Sequence, residues 1–229
     1  MNEVGEYIII NKIGEGRYGI AYLVEKNSKY FILKQLKKKM LKVLGSKVNY
    51  EKELLSNIDH VRIPKLIDTV ECDENIYYVL EYMYGKTFEE LIYKDNYIFT
   101  RREIFDVALQ LIDTIKYLHE RNIVHRDIRI SNVIMNNGEI SLLDFGLARK
   151  VNNLRYKYEV DFYYLADFLL HLYYTSFDMK SGKGKPWYEE LDLTPEEKLF
   201  LEKLFGLKEQ YINIKEIEEH FFLLKVRQL

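Results

Sequence analysis

The sequence predicts an α+β chain in two parts: a small, strand-rich N-terminal part with one helix, and a mostly helical C-terminal part. Two observations carry this. Up to about residue 83, short runs rich in β-branched and aromatic residues are separated by polar turns, the signature of strands. After Gly85 the apolar spacing changes to three and four, and helix-start signals appear. With 48% hydrophobic and 31% charged residues, the 229-residue chain has the apolar material for a sizeable core.

Residues 6–12 and 20–25 read as strands joined by a glycine-rich turn, and 30–36 as a third strand reached through Asn27-Ser28-Lys29. Residues 38–58 read as a helix interrupted at Gly45, with Leu54, Leu55 and Ile58 on its apolar side. Residues 67–70 and 76–82 form a hairpin around Asp73-Glu74-Asn75. Beyond Gly85, Thr100-Arg101-Arg102-Glu103 has capping-box spacing and starts a helix that should run to about Arg121. Short strands at 133–135 and 140–143 flank the turn Asn136-Asn137-Gly138. Helices follow at 158–175 and 195–205, the second with Thr194 as N-cap, Pro195 at N1 and Glu197 at N3.

A net charge of −2 gives no reason to expect a nucleic-acid partner. The lysines at 37, 38, 39, 42 and 47 read as a solvated helix face. A single cysteine, Cys72, excludes an internal disulfide framework and fits a reducing compartment. Residues 1–7 lack a signal-peptide pattern, and runs such as 168–174 are too short to span a bilayer. The expectation is a cytoplasmic protein with no membrane partner.

The residues that carry chemistry are concentrated in His125-Arg126-Asp127-Ile128-Arg129-Ile130-Ser131-Asn132, followed by Asp144-Phe145-Gly146. An acid, a cation, an amide and a second acid suit phosphoryl transfer, which needs positioning, charge neutralisation and a carboxylate near the attacking hydroxyl. Gly14-Glu15-Gly16-Arg17-Tyr18-Gly19 has GxGxxG spacing, with strands on both sides instead of the strand and helix of a dinucleotide site. Alone it is a weak signal, and an ordinary hairpin turn is the lesser reading for three spaced glycines. Lys34 ends the run Phe31-Ile32-Leu33-Lys34, and a lone lysine and glutamate are most often a surface pair worth little. The five histidines show no metal-ligand spacing.

In order and spacing these motifs resemble the protein kinase family. The resemblance covers nearly the whole chain, up to Glu219-His220-Phe221-Phe222, and implies a bilobal fold in a single domain, 1–229. Its lobes would be about 1–83 and 84–229. It further implies ATP and Mg²⁺. Gly14, Glu15, Gly16 and Gly19 would cover the phosphates, and Lys34 would hold them while pairing with Glu51, with Glu53 as a second candidate. The backbone of Glu81 and Met83 would meet the adenine edge, with Leu80 behind it. Ala21 and Ile32 would roof the adenine, with Ile134 as its floor. The family usually has valine and alanine at the two roof positions, so a reshaped adenine pocket is expected. Asp127 would orient or accept the hydroxyl proton, Arg129 would keep a cation near the γ-phosphate, and Asn132 and Asp144 would bind Mg²⁺. His125, Phe145, Leu55 and Leu66 match the family's hydrophobic column.

One region departs. Asp161, which resembles the start of the central helix of the second lobe, follows Asp144 by only 17 positions. No Ala-Pro-Glu occurs, residues 147–160 contain no serine or threonine, and no arginine stands near Glu209-Gln210-Tyr211. Control by Ser/Thr phosphorylation of this segment is therefore not expected, and Arg126 lacks its usual phosphate partner. The acceptor side is unusually open or is completed by an activating partner protein, and no room is left for an anchor or sensor domain. The leading reading is an ATP-dependent serine/threonine-type protein kinase. Its rivals are a small-molecule kinase or RIO-like ATPase of related fold, and a nucleotide-binding pseudokinase. The pseudokinase would lose one of Lys34, Asp127, Asn132 or Asp144, and none is lost.

Overall fold

A computed structural model describes residues 3–15, 19–36, 50–72, 75–152, 155–177 and 184–226. The sequence expectations for Gly16, Arg17 and Tyr18, for the lysine run and helix over 37–49, and for Asp73 and Glu74 lie outside the described residues. The chain divides into two compact units, Met1–Met83 and Tyr84–Leu229.

The first unit is built on an antiparallel sheet. Its strands are β1 (Glu3–Val4), β2 (Tyr7–Glu15), β3 (Gly19–Lys26), β4 (Lys29–Leu36), β5 (Leu66–Cys72) and β6 (Asn75–Glu81), in the order β1-β2-β3-β4-β6-β5. Asn27 and Ser28 both take positive φ, 52° and 58°, which makes the two-residue β3–β4 turn the kind that matches strand twist. One sheet face packs Val24, Leu33, Tyr77 and Val79 against Val4 and Tyr7. Each such buried apolar side chain contributes roughly 1.5–3 kcal/mol. β2 runs three residues past the expected end at Lys12, because two register shifts let Gly14 and Glu15 continue pairing, with Ala21 and Ile20. At Gly19 a Cβ would lie 2.3 Å from the Gln35 carbonyl oxygen, so only glycine permits the approach of β3 to β4.

The described part of the expected long helix is α1, Tyr50–Leu55. It ends three residues earlier than expected. Ser56 Oγ and Asn57 Nδ2 bond the carbonyls of Lys52 and Glu53, and the backbone tightens to i→i−3 bonds at Asn57 and Ile58. Leu54, Leu55 and Ile58 are buried as the spacing required.

In the second unit β7 (Lys86–Thr87) leads into α2 (Phe88–Tyr93), whose capping box joins Thr87 and Glu90. Gly85 has φ 138° and sits against the Met135 carbonyl, where a Cβ would be 2.5 Å from the oxygen. α3 (Arg101–His119) starts at the capping box read from Thr100 and Glu103, and closes two residues before Arg121 through a left-handed Asn122. β8 (Ile123–Val124), the hairpin of β9 (Val133–Asn136) and β10 (Glu139–Leu142), and β11 (Arg149–Lys150) follow. The hairpin turns through Asn137 and Gly138, both at positive φ. α4 (Glu159–Tyr174), α5 (Trp187–Glu190), α6 (Pro195–Leu204) and α7 (Ile214–Val226) complete the unit. Thr194 caps α6 and Pro195 stands in its first turn, as the sequence indicates. Around α3, residues Leu111, Ile115, Leu118, Phe162, Leu165 and Leu172 are fully buried. Among the described residues no helix is long and apolar enough to cross a membrane.

Candidate active site

In the first unit, strand pairing sets one face. Ala21 pairs with Lys34, Leu23 with Ile32, Ile32 with Leu80 and Lys34 with Tyr78, so these side chains share the sheet face opposite Leu33 and Val79. Ala21 and Ile32 are diagonal neighbours there, within reach of one another's volume. Lys34 Nζ lies 2.7 and 3.0 Å from the two carboxylate oxygens of Glu51, and the side chains are 14% and 8% exposed. α1 therefore turns Glu51 to the lysine, while Glu53 is exposed. Tyr78 is fully buried beside the pair; burial first, then the Glu51 charge, pushes its hydroxyl up to about 12. Gly14 and Glu15 lie within β2, not in the turn, and no atom would meet a Cβ on Gly14 within 4 Å. Leu80 is buried, Glu81 ends β6 and Met83 is half-buried.

In the second unit the acid loop hangs between short strands. β8 delivers His125 and pairs with β11, Val124 opposite Arg149. Asn132 stands just before β9 and Leu143 just after β10, and the Leu143 N–H donates to the Asn132 carbonyl at 2.8 Å. That register draws Asn132 and Asp144 to the same end of the hairpin. Ile128 and Val133, fully buried, pin the loop from beneath.

The Asp127 carboxylate is held from two sides. Asn132 Nδ2 donates to Oδ2 at 2.7 Å and to the Asp127 carbonyl at 3.0 Å, and Arg129 Nη2 lies 2.6 Å from Oδ1. Arg129 is half in water, so its pairing orients the carboxylate more than it stabilises the fold. With its NH₂ engaged, the atom Asn132 can offer a cation is the amide oxygen. Asp144 is exposed, takes φ 57°, and accepts a bond from the Gly146 N–H at 3.2 Å. An amide oxygen and a carboxylate are hard donors of the kind Mg²⁺ takes, with phosphates and water supplying the rest. Among the described residues no cluster of three or more His, Cys, Asp or Glu could hold a metal by itself. The residues present fit a cation shared with a phosphate ligand.

His125 is fully buried. Its Nε2 faces the Leu143 carbonyl at 3.1 Å, which can only accept, and its Nδ1 accepts the Asp127 N–H at 3.3 Å. The ring is therefore neutral, and burial holds its pKa below the ordinary 6.5. Phe145 meets it edge-on at 4.7 Å. Ile134, on β9, is buried.

Asp161, which the sequence marks only as near the start of a helix, stands in the first turn of α4 and belongs to the site. It is fully buried, and it accepts from the His125 N–H at 2.9 Å, the Arg126 N–H at 2.7 Å and His119 Nε2 at 2.9 Å. One carboxylate thus holds the backbone of the acid loop, including Arg126 at φ 69°. The available signal was an acid inside the apolar run Asp161-Phe162-Tyr163-Tyr164-Leu165-Ala166.

Residues 7–181 match the family model of the protein kinase domain. The chain is 36% identical over 223 residues to a probable serine/threonine-protein kinase, YbdM, of Bacillus subtilis, covering 93% of this chain and 87% of that protein. It is 33% identical to a mitogen-activated protein kinase kinase kinase 1b of Physcomitrium patens, over 62% of this chain and 19% of that protein. The human serine/threonine-protein kinase Nek11 is likewise 33% identical, over 62% of this chain and 24% of Nek11. The chain thus spans most of the bacterial relative and a quarter or less of these two eukaryotic ones.

Proposed function

Because the chain belongs to the protein kinase domain family and is a phosphotransferase of that kind, we propose that it moves the γ-phosphoryl group of ATP to a serine or threonine hydroxyl of a protein. The observation that carries this reading is the Asp127 carboxylate, fixed by Asn132 at 2.7 Å and Arg129 at 2.6 Å on a loop tied to buried Asp161. A carboxylate so held is aimed before substrate arrives, which lowers the entropic cost of reaction.

In this reading the acceptor oxygen bonds to the γ-phosphorus as the bridge to ADP breaks, and the hydroxyl proton passes to Asp127. Arg129 keeps positive charge beside that carboxylate. Lys34, held by Glu51, binds phosphate oxygens, with the backbone at Gly14, Glu15, Gly16 and Gly19 covering them. Asn132 and Asp144 would hold Mg²⁺, which would supply charge to offset that of the phosphates. Glu81 and Met83 bond the adenine edge, Ile134 underlies it, and Ala21 and Ile32 exchange volume in its roof, a swap supported by their diagonal placement. We assign the protein to the cytoplasm on the support of its single cysteine, and no nucleic-acid partner on that of its net charge of −2.

Labelled ATP with Mg²⁺ and a mixture of serine, threonine and tyrosine peptides tests this. Label should enter serine or threonine and fall by ~10²–10⁴-fold in Asp127→Asn, the usual worth of such a group. Asp144→Asn should lose transfer while staying folded. Label on tyrosine alone, on small molecules alone, or release of phosphate with no labelled peptide would sink the proposal.

A further inference from the structure

Arg126 stands between His125 and Asp127, yet its side chain leaves the loop. Nη1 donates to the Leu147 carbonyl at 3.0 Å, and the guanidinium carbon lies 4.7 Å from the centre of the Tyr156 ring. That is cation–π distance, and both residues are half-buried, where such contacts are stronger than at the surface. Tyr156 is not placed there by chance of a loose loop. Asn152 Oδ1 accepts the N–H groups of Arg155 and Tyr156 at 2.9 and 3.0 Å, and the Asn152 N–H donates to the Tyr156 carbonyl at 3.2 Å.

The described residues before Asn152 and after Tyr156 are fastened too. β11 pairs with β8, and the Val151 N–H donates to the Asn122 carbonyl at 2.8 Å. Tyr158 OH donates to Asn122 Oδ1 at 2.9 Å, and its ring lies 4.5 Å from that of His119. A guanidinium taken partly out of water needs a compensating partner. Here a carbonyl and an aromatic face serve, and residues 147–160 carry no serine or threonine that could bring a phosphate.

We propose that Tyr156 is a positioning residue: its ring holds Arg126 and so fixes the segment after Gly146 against the acid loop, with no phosphate added. The inference rests on the kinase reading above. Arg126 shares a backbone with Asp127, so loss of its ring partner loosens the loop that aims the carboxylate. The effect falls on kcat, because the contact is made to the loop and not to substrate.

The test compares Tyr156→Ala, Tyr156→Leu and Tyr156→Phe in the full chain. Alanine and leucine, which offer no ring face, should each lower kcat roughly tenfold and leave the KM for ATP within about twofold. Phenylalanine keeps the face and should restore kcat to within about twofold of wild type. Tyr117→Ala removes a comparable stack on α3, where Arg121 lies 3.6 Å from the ring centre, and should leave kcat unchanged. Amide exchange at Val151 and Arg126 should rise in the alanine and leucine variants and not in the phenylalanine one. Phosphatase treatment of wild type should leave kcat as it was.

A leucine variant as active as wild type, unchanged exchange in the alanine variant, or loss of kcat on phosphatase treatment would each overturn the inference. Wild-type protein with no transfer sensitive to Asp127→Asn would instead bring down the kinase reading, and the catalytic part of this inference with it.

Discussion

The lysine–glutamate pair of the first unit and the acid loop of the second are held by different means. Lys34 and Glu51 meet as two side chains, one from β4 and one from a helix described over six residues, joined at 2.7 Å. The acid loop is held by its backbone: two of its N–H groups end on buried Asp161, a third on His125, and His125 in turn bonds Leu143. A side-chain pair can be lost while both elements stay folded. A backbone anchor cannot be lost without moving every group on the loop. The first arrangement is suited to adjustment, the second to rigidity, and substitutions should separate them.

Of the residues that hold the two arrangements, Asp161 should show the larger effect. Asparagine there keeps the shape but supplies one acceptor oxygen where two met three donors, and turns an NH₂ toward a backbone N–H. Breaking a buried charged network of this kind costs about 3–5 kcal/mol. Asp161→Asn should therefore lower the urea midpoint and, where still folded, reduce kcat on the order of 10²-fold as Asp127 loses its aim. Glu51→Gln should be milder. Lys34 keeps its charge and loses its counter-ion, so the KM for ATP should rise roughly fivefold to tenfold, about 1–1.4 kcal/mol. The urea midpoint should fall because the pair is largely buried, though less than in Asp161→Asn. Equal loss of kcat in the two variants would erase the contrast between side-chain and backbone support.

The same contrast explains what could be read from the sequence. Local signals were legible: Thr100 and Thr194 carry capping boxes at the expected spacing, and Asn137-Gly138 closes the expected hairpin. Thr87-Phe88-Glu89-Glu90 carries the same capping signal and was missed, because six helical residues give too short a periodicity to stand out. The order of Lys34, Asp127, Asn132 and Asp144 was plain, since each belongs to a contiguous motif. What holds them was not. Asp161 reaches back 36 positions to the His125 N–H, and Tyr156 reaches Arg126 across the segment after Gly146. No spacing rule encodes such contacts. The end of α1 was misplaced for the opposite reason: Ser56 and Asn57 bond carbonyls behind them, a local competition that an apolar count over 38–58 overlooks.

The smallest expected effect probes whether the loop's rigidity passes through His125. Its Nδ1 accepts the Asp127 N–H, so a proton on Nδ1 would set two donors against each other inside a buried site. Burial accordingly depresses its pKa below 6.5. The unfolded chain takes up a proton near the ordinary value, and the folded chain refuses it until a lower pH. Stability from this group is therefore complete above 6.5 and declines as pH falls below it toward the depressed folded value. The slope from one such group cannot exceed about 1.4 kcal/mol per pH unit. Urea midpoints taken at pH 7.5, 6.5 and 5.5 (chosen to bracket the ordinary histidine range) should fall over the last interval in wild type and fall less in His125→Phe. That variant also forfeits the Leu143 and Asp127 bonds, so its midpoint should be lower at pH 7.5 while its acid slope is flatter. Parallel curves would mean that the acid loop tolerates the proton, and that its hold on Asp127 comes from Asp161, Asn132 and Arg129 without His125.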